Sequence, residues 1–189
     1  MANKKNTKYN SRRTDSYSKN YNNKKTTVSN YSRKTRSLDQ DYSVTKQQFL
    51  RIFNMVENSE VLKDDEIVAQ TGNTKFSSKK IKMIKSIDTS KFNEYIKKAD
   101  FVICHGGVGT IFNALENNKR VLVVPRLGKY NEHINDHQLE VAGELEKEGY
   151  LLMYKDGENF DDYVKKLKGF TPKKYSRSEK FLDILRKEI

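Results

Sequence analysis

Three glycines follow a short apolar segment near the middle of the chain, and together they could bind a phosphate group. Residues 101–104 (FVIC) are apolar and partly β-branched, which predicts a strand buried on both faces. Gly106, Gly107 and Gly109 come directly after it. Because glycine has no Cβ atom, backbone N–H groups there can approach a ligand closely, and a helix beginning near Gly109 or Thr110 would point its positive end at the same place. The pattern therefore predicts a diphosphate site.

A second cluster of polar residues, NEHINDHQ, occupies positions 131–138. Carboxylate, amide and imidazole groups supply the donors and acceptors that sugar hydroxyls need. Our candidates for contacts with a sugar or ribose are Glu132, His133, Asp136 and Gln138. Asn135 and Gln138 also have the spacing of a capping box, and Asp136 would suit the helix dipole. A purely structural role for Gln138 therefore stays open.

Two other polar residues, His105 and Arg126, have two interpretations each. His105 directly follows the predicted strand, so it could contact the ligand or hydrogen-bond a neighbouring loop, and we keep it as a candidate binding residue. Arg126 could face a phosphate or cover the edge of the sheet with its stem, and we favour the second role. His137 could simply be solvated. The glycines themselves could serve only the tight turn that a doubly wound sheet needs.

Hydrophobic periodicity predicts alternating helices and strands from Thr45 onward. Segment 45–59 predicts an amphipathic helix, and segment 89–99 predicts a second helix opened by Thr89 or Ser90. We expect strands at 66–72, 81–87, 101–104, 121–124 and 150–153, and further helices at 110–118, 136–148, 159–167 and 178–188. This alternation predicts an α/β fold with a Rossmann-like, mainly parallel sheet, helices on both faces, and ligands beyond the carboxyl ends of the strands.

The first 44 residues differ in composition from the rest. The whole chain has a net charge of +12 and 33% charged residues, and residues 1–44 hold 11 Lys or Arg against 3 acidic residues, a balance of +8. So few aliphatic residues cannot offset the entropy of ordering, which predicts a disordered basic tail over 1–44 and a folded domain over 45–189. The five tyrosines of this tail could stack on nucleic-acid bases or rest on anionic lipid, but no folded RNA-binding motif accompanies them, so nucleic-acid binding is not favoured.

Composition also argues against several other classes of protein. The single cysteine, Cys104, excludes an internal disulfide framework and fits a reducing cytoplasm. No cluster of metal ligands is visible. The sequence has no apolar run of the ~18 to 20 residues that a membrane span needs, and its first residues lack the hydrophobic core of a secretory signal. We therefore expect a cytoplasmic protein.

Three motifs, HGGVGT with an apolar helix after it, VVPR, and NEHINDHQ, occur in an order and spacing that resembles the C-terminal domain of family 28 glycosyltransferases. The segment NEYIKKADFVICHGG also matches the lead-in to the glycine turn. The resemblance covers roughly residues 45–170. It is closest to short, stand-alone forms of the domain, as in the two-part GlcNAc transferases of dolichol-diphosphate and in bacterial exopolysaccharide or capsule transferases. It implies half of a GT-B glycosyltransferase fold.

The resemblance implies a UDP-sugar donor site, with the diphosphate at Gly106, Gly107, Gly109 and Thr110 and the sugar or ribose at Glu132, His133, Asp136 and Gln138. No cofactor and no metal are then required, because backbone amides and a helix N-terminus can stabilise the departing UDP. A hexosyl or N-acetylhexosaminyl group would be transferred with inversion to a lipid-linked glycan precursor. Catalytic residues stay unknown, because much of the base chemistry in two-domain relatives belongs to the other half.

A separate, membrane-anchored subunit would, by the same resemblance, bind the lipid-linked acceptor and hold this chain at the cytoplasmic face of a membrane. The C-terminal segment KKYSRSEKFLDILRKEI predicts a basic helix with an apolar cluster. This helix could dock onto the partner or a membrane surface, or pack on its own domain.

The sequence departs from the family at its first strand. Such domains open with a buried strand and a glycine-threonine turn directly before the first helix, but here that place reads RSLDQDYSVTK. That strand is central in the 3-2-1-4-5-6 order, so a polar replacement should be costly. A poor strand at 40–45 or a partner could fill the gap. Alternatively, the chain is a catalytically impaired nucleotide-sugar-binding or scaffold relative. A third class, a basic RNA-binding protein, rests on the tail alone.

Overall fold

One six-stranded sheet with helices on both faces organises the chain. The computed structural model describes residues 25–29, 48–134 and 136–175. The strands are β1 (Lys25–Ser29), β2 (Glu66–Gln70), β3 (Ile81–Ile84), β4 (Phe101–Cys104), β5 (Arg120–Val123) and β6 (Leu152–Met153). The helices are α1 (Leu50–Glu57), α2 (Thr89–Lys98), α3 (Val108–Glu116), α4 (His137–Lys147) and α5 (Phe160–Gly169), with a 3-10 turn at Gly128–Tyr130.

The order of the strands in the sheet is β3-β2-β1-β4-β5-β6, and each neighbouring pair is parallel. The chain winds outward in one direction from β1 to β3 and in the other direction from β4 to β6. The order therefore reverses between β1 and β4, which is where ligands bind in such sheets, beyond the carboxyl ends of the strands. The predicted fold class, a Rossmann-like parallel sheet covered by helices, is confirmed.

The central strand β1 comes from a part of the sequence for which we predicted a tail. Residues 25–29 pair with β2 on one side and β4 on the other, with Thr27 opposite both Val68 and Val102. The tail prediction is therefore wrong for these five residues, because pairing on two sides gives a polar KTTVS segment the place of a core strand. The remaining residues of 1–44 lie outside the described part of the chain.

This strand also changes the account of the first core strand, which we sought at 37–46. That segment lies outside the described residues, but the central place in the sheet is already filled by β1. The gap that supported a catalytically impaired relative is therefore not present in the described sheet.

Two hydrophobic clusters cover the two faces of the sheet. On one face, α1 and α5 pack against alternate strand residues, and Ile52, Phe53 and Val56 of α1 are fully buried. On the other face, α2, α3 and α4 pack against the residues in between, including Val102 and Cys104 of β4. Each such large side chain contributes roughly 1.5 to 3 kcal/mol when it leaves water. The sheet is thus a rigid base for the loops at its carboxyl edge.

Most predicted elements are present, with small differences at their ends. Strand β4 has the predicted bounds, whereas α3 begins at Val108, two residues before the predicted start. Helix α2 is capped by Asp88, whose Oδ1 accepts from the Lys91 amide at 2.8 Å, and not by Thr89 or Ser90. Aspartate at that position satisfies a free amide of the first turn. The predicted helix at 178–188 lies outside the described residues.

Candidate functional site

The predicted glycine turn lies at the carboxyl end of β4, beside the point where the strand order reverses. Gly107 is the N-cap of α3, with extended φ and ψ angles of −70° and 115°. The glycines with positive φ are elsewhere, at Gly72, Gly149 and Gly157. The turn therefore needs glycine for space and not for an unusual backbone angle.

Each glycine of the turn has a different neighbour. A Cβ atom at Gly106 would lie 2.6 Å from Cβ and 3.2 Å from Cα of Gln138, so this position lets α4 approach the turn. A Cβ atom at Gly107 would lie 2.5 Å from Nε2 of His105. A Cβ atom at Gly109, by contrast, would have no described atom within 4 Å apart from its chain neighbours and the backbone of its own helix. Only Gly109 opens onto space that a ligand could fill.

Two backbone amides of the turn donate to protein acceptors, and the next two belong to the first turn of α3. The amide of Gly106 donates to Oε1 of Gln138 at 3.1 Å, and that of Gly107 donates to the His105 carbonyl at 2.8 Å. Val108 and Gly109 follow in the first turn of α3, where a helix leaves its amides without an intrahelical acceptor. Both residues are exposed. These two amides, with the positive end of α3, form a place suited to an anion.

The side chains of His105 and Thr110 lie beneath this surface. His105 is 3% exposed, with its imidazole against Gly107, and Thr110 is 1% exposed. The Thr110 hydroxyl has no hydrogen-bond partner among the described residues. Both side chains are therefore buried in the protein next to the turn. Direct contacts between them and a ligand stay predictions.

Gln138 joins the glycine turn to the loop after β5. Its Oε1 accepts from the amides of Gly106 and Arg126, each at 3.1 Å. Helix α4 begins after Asp136, whose side chain makes no capping bond. Asn135 lies outside the described residues. The capping-box interpretation is therefore wrong for Gln138, because its side-chain oxygen bridges two loops at the carboxyl edge of the sheet.

Residues 127–134 and Asp136, called the polar loop below, are joined by hydrogen bonds within the loop. The Leu127 amide donates to Oε2 of Glu132 at 3.1 Å, and the Glu132 amide returns to the Leu127 carbonyl at 3.2 Å. The Gly128 amide donates to Oδ1 of Asp136 at 2.9 Å. Asp136 is exposed and His133 is half-buried, so both side chains lie at the surface of this loop.

Arg51 of α1 clamps the polar loop, and we did not predict this from the sequence. Its Nε lies 3.1 Å from Oε1 of Glu132 and its Nη2 lies 2.8 Å from Oε2, which is a two-pronged ion pair. Nη2 also donates to the Pro125 carbonyl at 2.6 Å, and Nη1 lies 3.3 Å from Oδ1 of Asp156. The Glu132 side chain is only 5% exposed. Its carboxylate is thus held by protein groups, and a sugar contact from Glu132 stays a prediction.

Aromatic rings and a further ion pair surround this clamp. The Arg51 guanidinium lies 5.5 Å from the ring centre of Phe49 and 5.1 Å from that of Tyr130. Asp156 accepts from Nζ of Lys129 at 2.6 Å and from the Tyr130 hydroxyl at 2.9 Å. The hydrogen bond from Lys129 is the largest cause that lowers the pKa of Asp156. Its carboxylate is therefore charged at neutral pH.

Arg126 lies inside the structure and not at the edge of the sheet that we favoured. It is 6% exposed, and its guanidinium lies 5.5 Å from the ring centre of Phe49. Burial lowers its pKa to about 10, against the opposing charge of Glu132. The side chain is thus still a cation at neutral pH. Its backbone amide is the group through which Gln138 joins the loop after β5 to the glycine turn.

The structure therefore brings together the glycines, His105, Thr110 and Gln138 around the start of α3. It places His133 and Asp136 on the neighbouring polar loop, and turns the carboxylate of Glu132 toward α1. Within residues 25–29, 48–134 and 136–175, no group of three or more acidic, His or Cys side chains could hold a metal ion. In the same residues, no helix is both long enough and apolar enough to span a bilayer.

A parallel sheet that presents a helix N-terminus at the reversal of its strand order defines a Rossmann-like domain of the kind that forms half of a GT-B glycosyltransferase. The chain belongs to the glycosyltransferase family 28 C-terminal domain family, whose model matches residues 43–188. The resemblance noted in the sequence is therefore confirmed.

Curated relatives described as UDP-N-acetylglucosamine transferase subunit ALG13 occur in a fungus and in mammals. The chain is 28% identical over 113 residues to the UDP-N-acetylglucosamine transferase subunit ALG13 of Candida albicans, which covers 59% of this chain and 36% of that protein. It is 48% identical over 60 residues to the Homo sapiens subunit ALG13, covering 31% of this chain and 5% of that protein. The chain thus matches about a third of the fungal protein's length and a twentieth of the human protein's length.

Solved structures share the fold at low sequence identity. An NMR solution structure of ALG13 matches with a TM-score of 0.52 and 15% identity, over 87% of this chain and 94% of that one. The spinosyn forosaminyltransferase SpnP matches with a TM-score of 0.50 and 17% identity, over 77% of this chain and 35% of that one. The match to the ALG13 structure thus spans nearly all of that chain, and both matches show a shared fold.

Proposed function

We propose that the chain is the donor-binding subunit of a UDP-sugar-dependent glycosyltransferase. It transfers a hexosyl or N-acetylhexosaminyl group to a lipid-linked glycan precursor, such as a precursor of an exopolysaccharide or capsule. It works with a separate, membrane-anchored subunit that binds the acceptor, and through that partner it is peripheral at the cytoplasmic face of a membrane. Family membership supports the class of reaction, and the two relatives described as UDP-N-acetylglucosamine transferase subunits support the donor and the role of a subunit.

The observation that carries the proposal is the open space at Gly109 in the first turn of α3. The amides of Val108 and Gly109 belong to the first turn of α3, at its positive end. A Cβ atom at Gly109 would meet no described atom within 4 Å other than those of its chain neighbours and the backbone of its own helix. A diphosphate placed there gains charge-assisted hydrogen bonds without a metal ion.

The same arrangement favours departure of UDP during the transfer. As the bond between the sugar and the diphosphate breaks, negative charge develops on the departing oxygen. Fixed amide dipoles that already point at this oxygen stabilise the charge without having to reorient. The sugar itself would lie against the polar loop, where His133 and Asp136 offer donors and acceptors at the surface. The acceptor and the general base would come from the partner.

Gly109→Asp is the substitution that tests the donor site most directly. The new carboxylate meets open space, so it causes no clash, and an aspartate in the first turn of a helix favours the helix. Its charge should repel the diphosphate. The matched control is Gly109→Asn, which has almost the same shape and no charge. Gly107→Asp would be a poorer choice, because its Cβ would meet the His105 imidazole at 2.5 Å.

We expect the full chain to bind UDP and UDP-N-acetylglucosamine in calorimetry, the Asn variant to bind more weakly, and the Asp variant to lose binding, with all three folded by circular dichroism. A folded parent chain that binds neither compound contradicts the proposal. Binding without transfer in the presence of the acceptor subunit would identify the alternative, a catalytically impaired relative. This alternative no longer follows from a missing central strand, since β1 fills that place in the sheet.

A further inference from the structure

We propose that Arg51 is a positioning residue for the sugar part of the donor: it holds the polar loop against the sheet and leaves the diphosphate site unchanged. This inference rests on the proposed function. It goes further, because neither the sequence motifs nor the glycine turn assigns a role to α1. Arg51 would not touch the donor and would act through the loop.

The contacts of Arg51 fix the polar loop near its start and at its middle. Near the start, Nη2 donates to the Pro125 carbonyl at 2.6 Å. At the middle, the guanidinium holds both carboxylate oxygens of Glu132, and Oε2 of Glu132 in turn accepts from the Leu127 amide at 3.1 Å. The path of the loop from 125 to 132 thus depends on one guanidinium group.

The geometry of this clamp suits arginine and not lysine. The guanidinium makes four hydrogen bonds, to Glu132, Pro125 and Asp156. The rings of Phe49 and Tyr130 lie within cation–π distance of it. A lysine carries the same charge but has a single ammonium group, which cannot make a two-pronged bond to a carboxylate and reach two other acceptors. The loop should therefore move when Arg51 becomes Lys, even though the charge is kept.

The glycine turn is held by different residues. Gly106 is bonded to Gln138 of α4, and α3 begins directly after β4 and its turn. None of the four Arg51 bonds named above ends at a residue of the glycine turn. The clamp and the tie of the turn meet at the peptide group between Pro125 and Arg126, whose carbonyl accepts from Arg51 and whose amide donates to Gln138. Loss of the clamp should therefore weaken binding of the sugar and spare binding of UDP.

The test is the ratio of the dissociation constants for UDP and for UDP-N-acetylglucosamine, measured on the full chain by calorimetry. This ratio isolates the contribution of the sugar. For Arg51→Lys we expect the ratio to shift by about tenfold against the nucleotide sugar, as for one lost net hydrogen bond, with UDP affinity nearly unchanged. Glu132→Gln, which breaks the same clamp from the loop side, should shift the ratio in the same direction.

The chain offers a matched control at the opposite edge of the sheet. Lys168 and Asp65 form an ion pair at 3.1 Å, with side chains 18% and 8% exposed, close to the 17% and 5% of Arg51 and Glu132. Lys168 also donates to a backbone carbonyl, that of Val61. Lys168→Gln thus removes a similarly buried cation far from the site, and it should lower stability without shifting the ratio.

The outcomes separate this inference from the proposed function. If the parent chain is folded and binds no UDP, the proposed function fails and the inference fails with it. If the parent binds both compounds and folded Arg51→Lys and Glu132→Gln keep the parent ratio, the inference is wrong and the proposed function stands. A ratio that shifts equally in Lys168→Gln also contradicts it, because the effect would then be one of general stability. If Arg51→Lys does not fold, Asp156→Asn, which weakens the clamp from a residue that is not a candidate sugar contact, decides.

Discussion

The side-chain oxygen of Gln138 lies 3.1 Å from the backbone nitrogen of Gly106 and 3.1 Å from that of Arg126. One atom of α4 thus joins the loop after β4 to the loop after β5. These two loops lie beside each other at the carboxyl edge of the sheet. The two hydrogen bonds to Gln138, called the brace below, therefore hold the loops of the candidate donor site together.

This brace predicts different results for two substitutions of similar shape. Gln138→Met leaves two amides without their acceptor and should lower the free energy of unfolding by about 1 to 3 kcal/mol. Gln138→Glu keeps an acceptor oxygen and should keep most of the stability, but its charge beside the turn should weaken UDP binding. Urea unfolding and calorimetry measure the two effects. Equal stability of the parent and the Met variant would contradict the role of the brace.

Alanine at two of the glycines should change stability in opposite directions. In Gly106→Ala the new Cβ would meet Cβ of Gln138 at 2.6 Å and its backbone Cα at 3.2 Å, so α4 must move away. We expect a loss of roughly 1 to 3 kcal/mol, typical of overpacking. Gly109→Ala meets open space in a helix and should gain roughly 0.5 to 1 kcal/mol. The measurement is the urea midpoint of each variant, and the same sign for both would disprove the assignment.

The place of β1 at the centre of the sheet can be tested with proline. A strand paired on both sides uses every amide in a ladder, and proline has none to donate. Val28→Pro should therefore unfold the domain or lower its melting temperature sharply. Val28→Ile, which keeps the amide and the β-branched shape, is the control. The measurement is the melting temperature by circular dichroism. A Pro variant with the same melting temperature as the parent would mean that residues 25–29 are not the central strand.

The pH dependence of stability should report on Asp156. Its pKa is lowered from the ordinary value of 3.8, chiefly by the hydrogen bond from Lys129. A carboxyl group with a lowered pKa in the folded state adds stability above its ordinary pKa, and this stability is lost as the pH falls through the folded value. Asp156→Asn should therefore be less stable than the parent at pH 7 and lose less stability between pH 5 and about pH 2. Urea midpoints across this range test it, and parallel pH profiles would contradict it.

The elements with strong hydrophobic runs could be predicted from the sequence, and β4 with the glycine turn is the clearest case. The FVIC run is apolar throughout because the strand is covered on both faces, so no knowledge of its neighbours was needed. The alternation of helices and strands predicted the parallel sheet, whereas the order 3-2-1-4-5-6 was expected from the family resemblance. The glycine turn was found because glycine, strand and helix signals adjoin in the sequence.

Strand β1 could not be predicted, because its own residues lack the hydrophobic pattern that identifies a core strand. KTTVS has only one aliphatic residue and lies among Asn, Lys and Tyr, so composition indicated a tail. Its conformation is set by hydrogen bonds to β2 and β4, which local propensity does not record.

The partners of Gln138 and Glu132 were missed for a related reason. The spacing of Asn135 and Gln138 indicated a local cap, but Gln138 accepts from Gly106 and Arg126, which lie 32 and 12 residues earlier in two other loops. The partner of Glu132 is Arg51, 81 residues earlier in the sequence. Polar pairs at such separations leave no periodic pattern, so a residue type can be flagged from sequence while its partner cannot.

The pairing of β1 with β4 also bears on how the protein is made. Among the described residues, the strand that is synthesised first, β1, lies at the centre of the sheet, and the amide of Lys25 is bonded to Asp100, 75 residues later in the chain. At a synthesis rate of roughly 5 to 20 residues per second, β1 waits about 4 to 15 s for that neighbour. The candidate site, which opens between these two strands, therefore cannot form early during translation, and the nascent chain would carry an unpaired strand edge until β4 emerges.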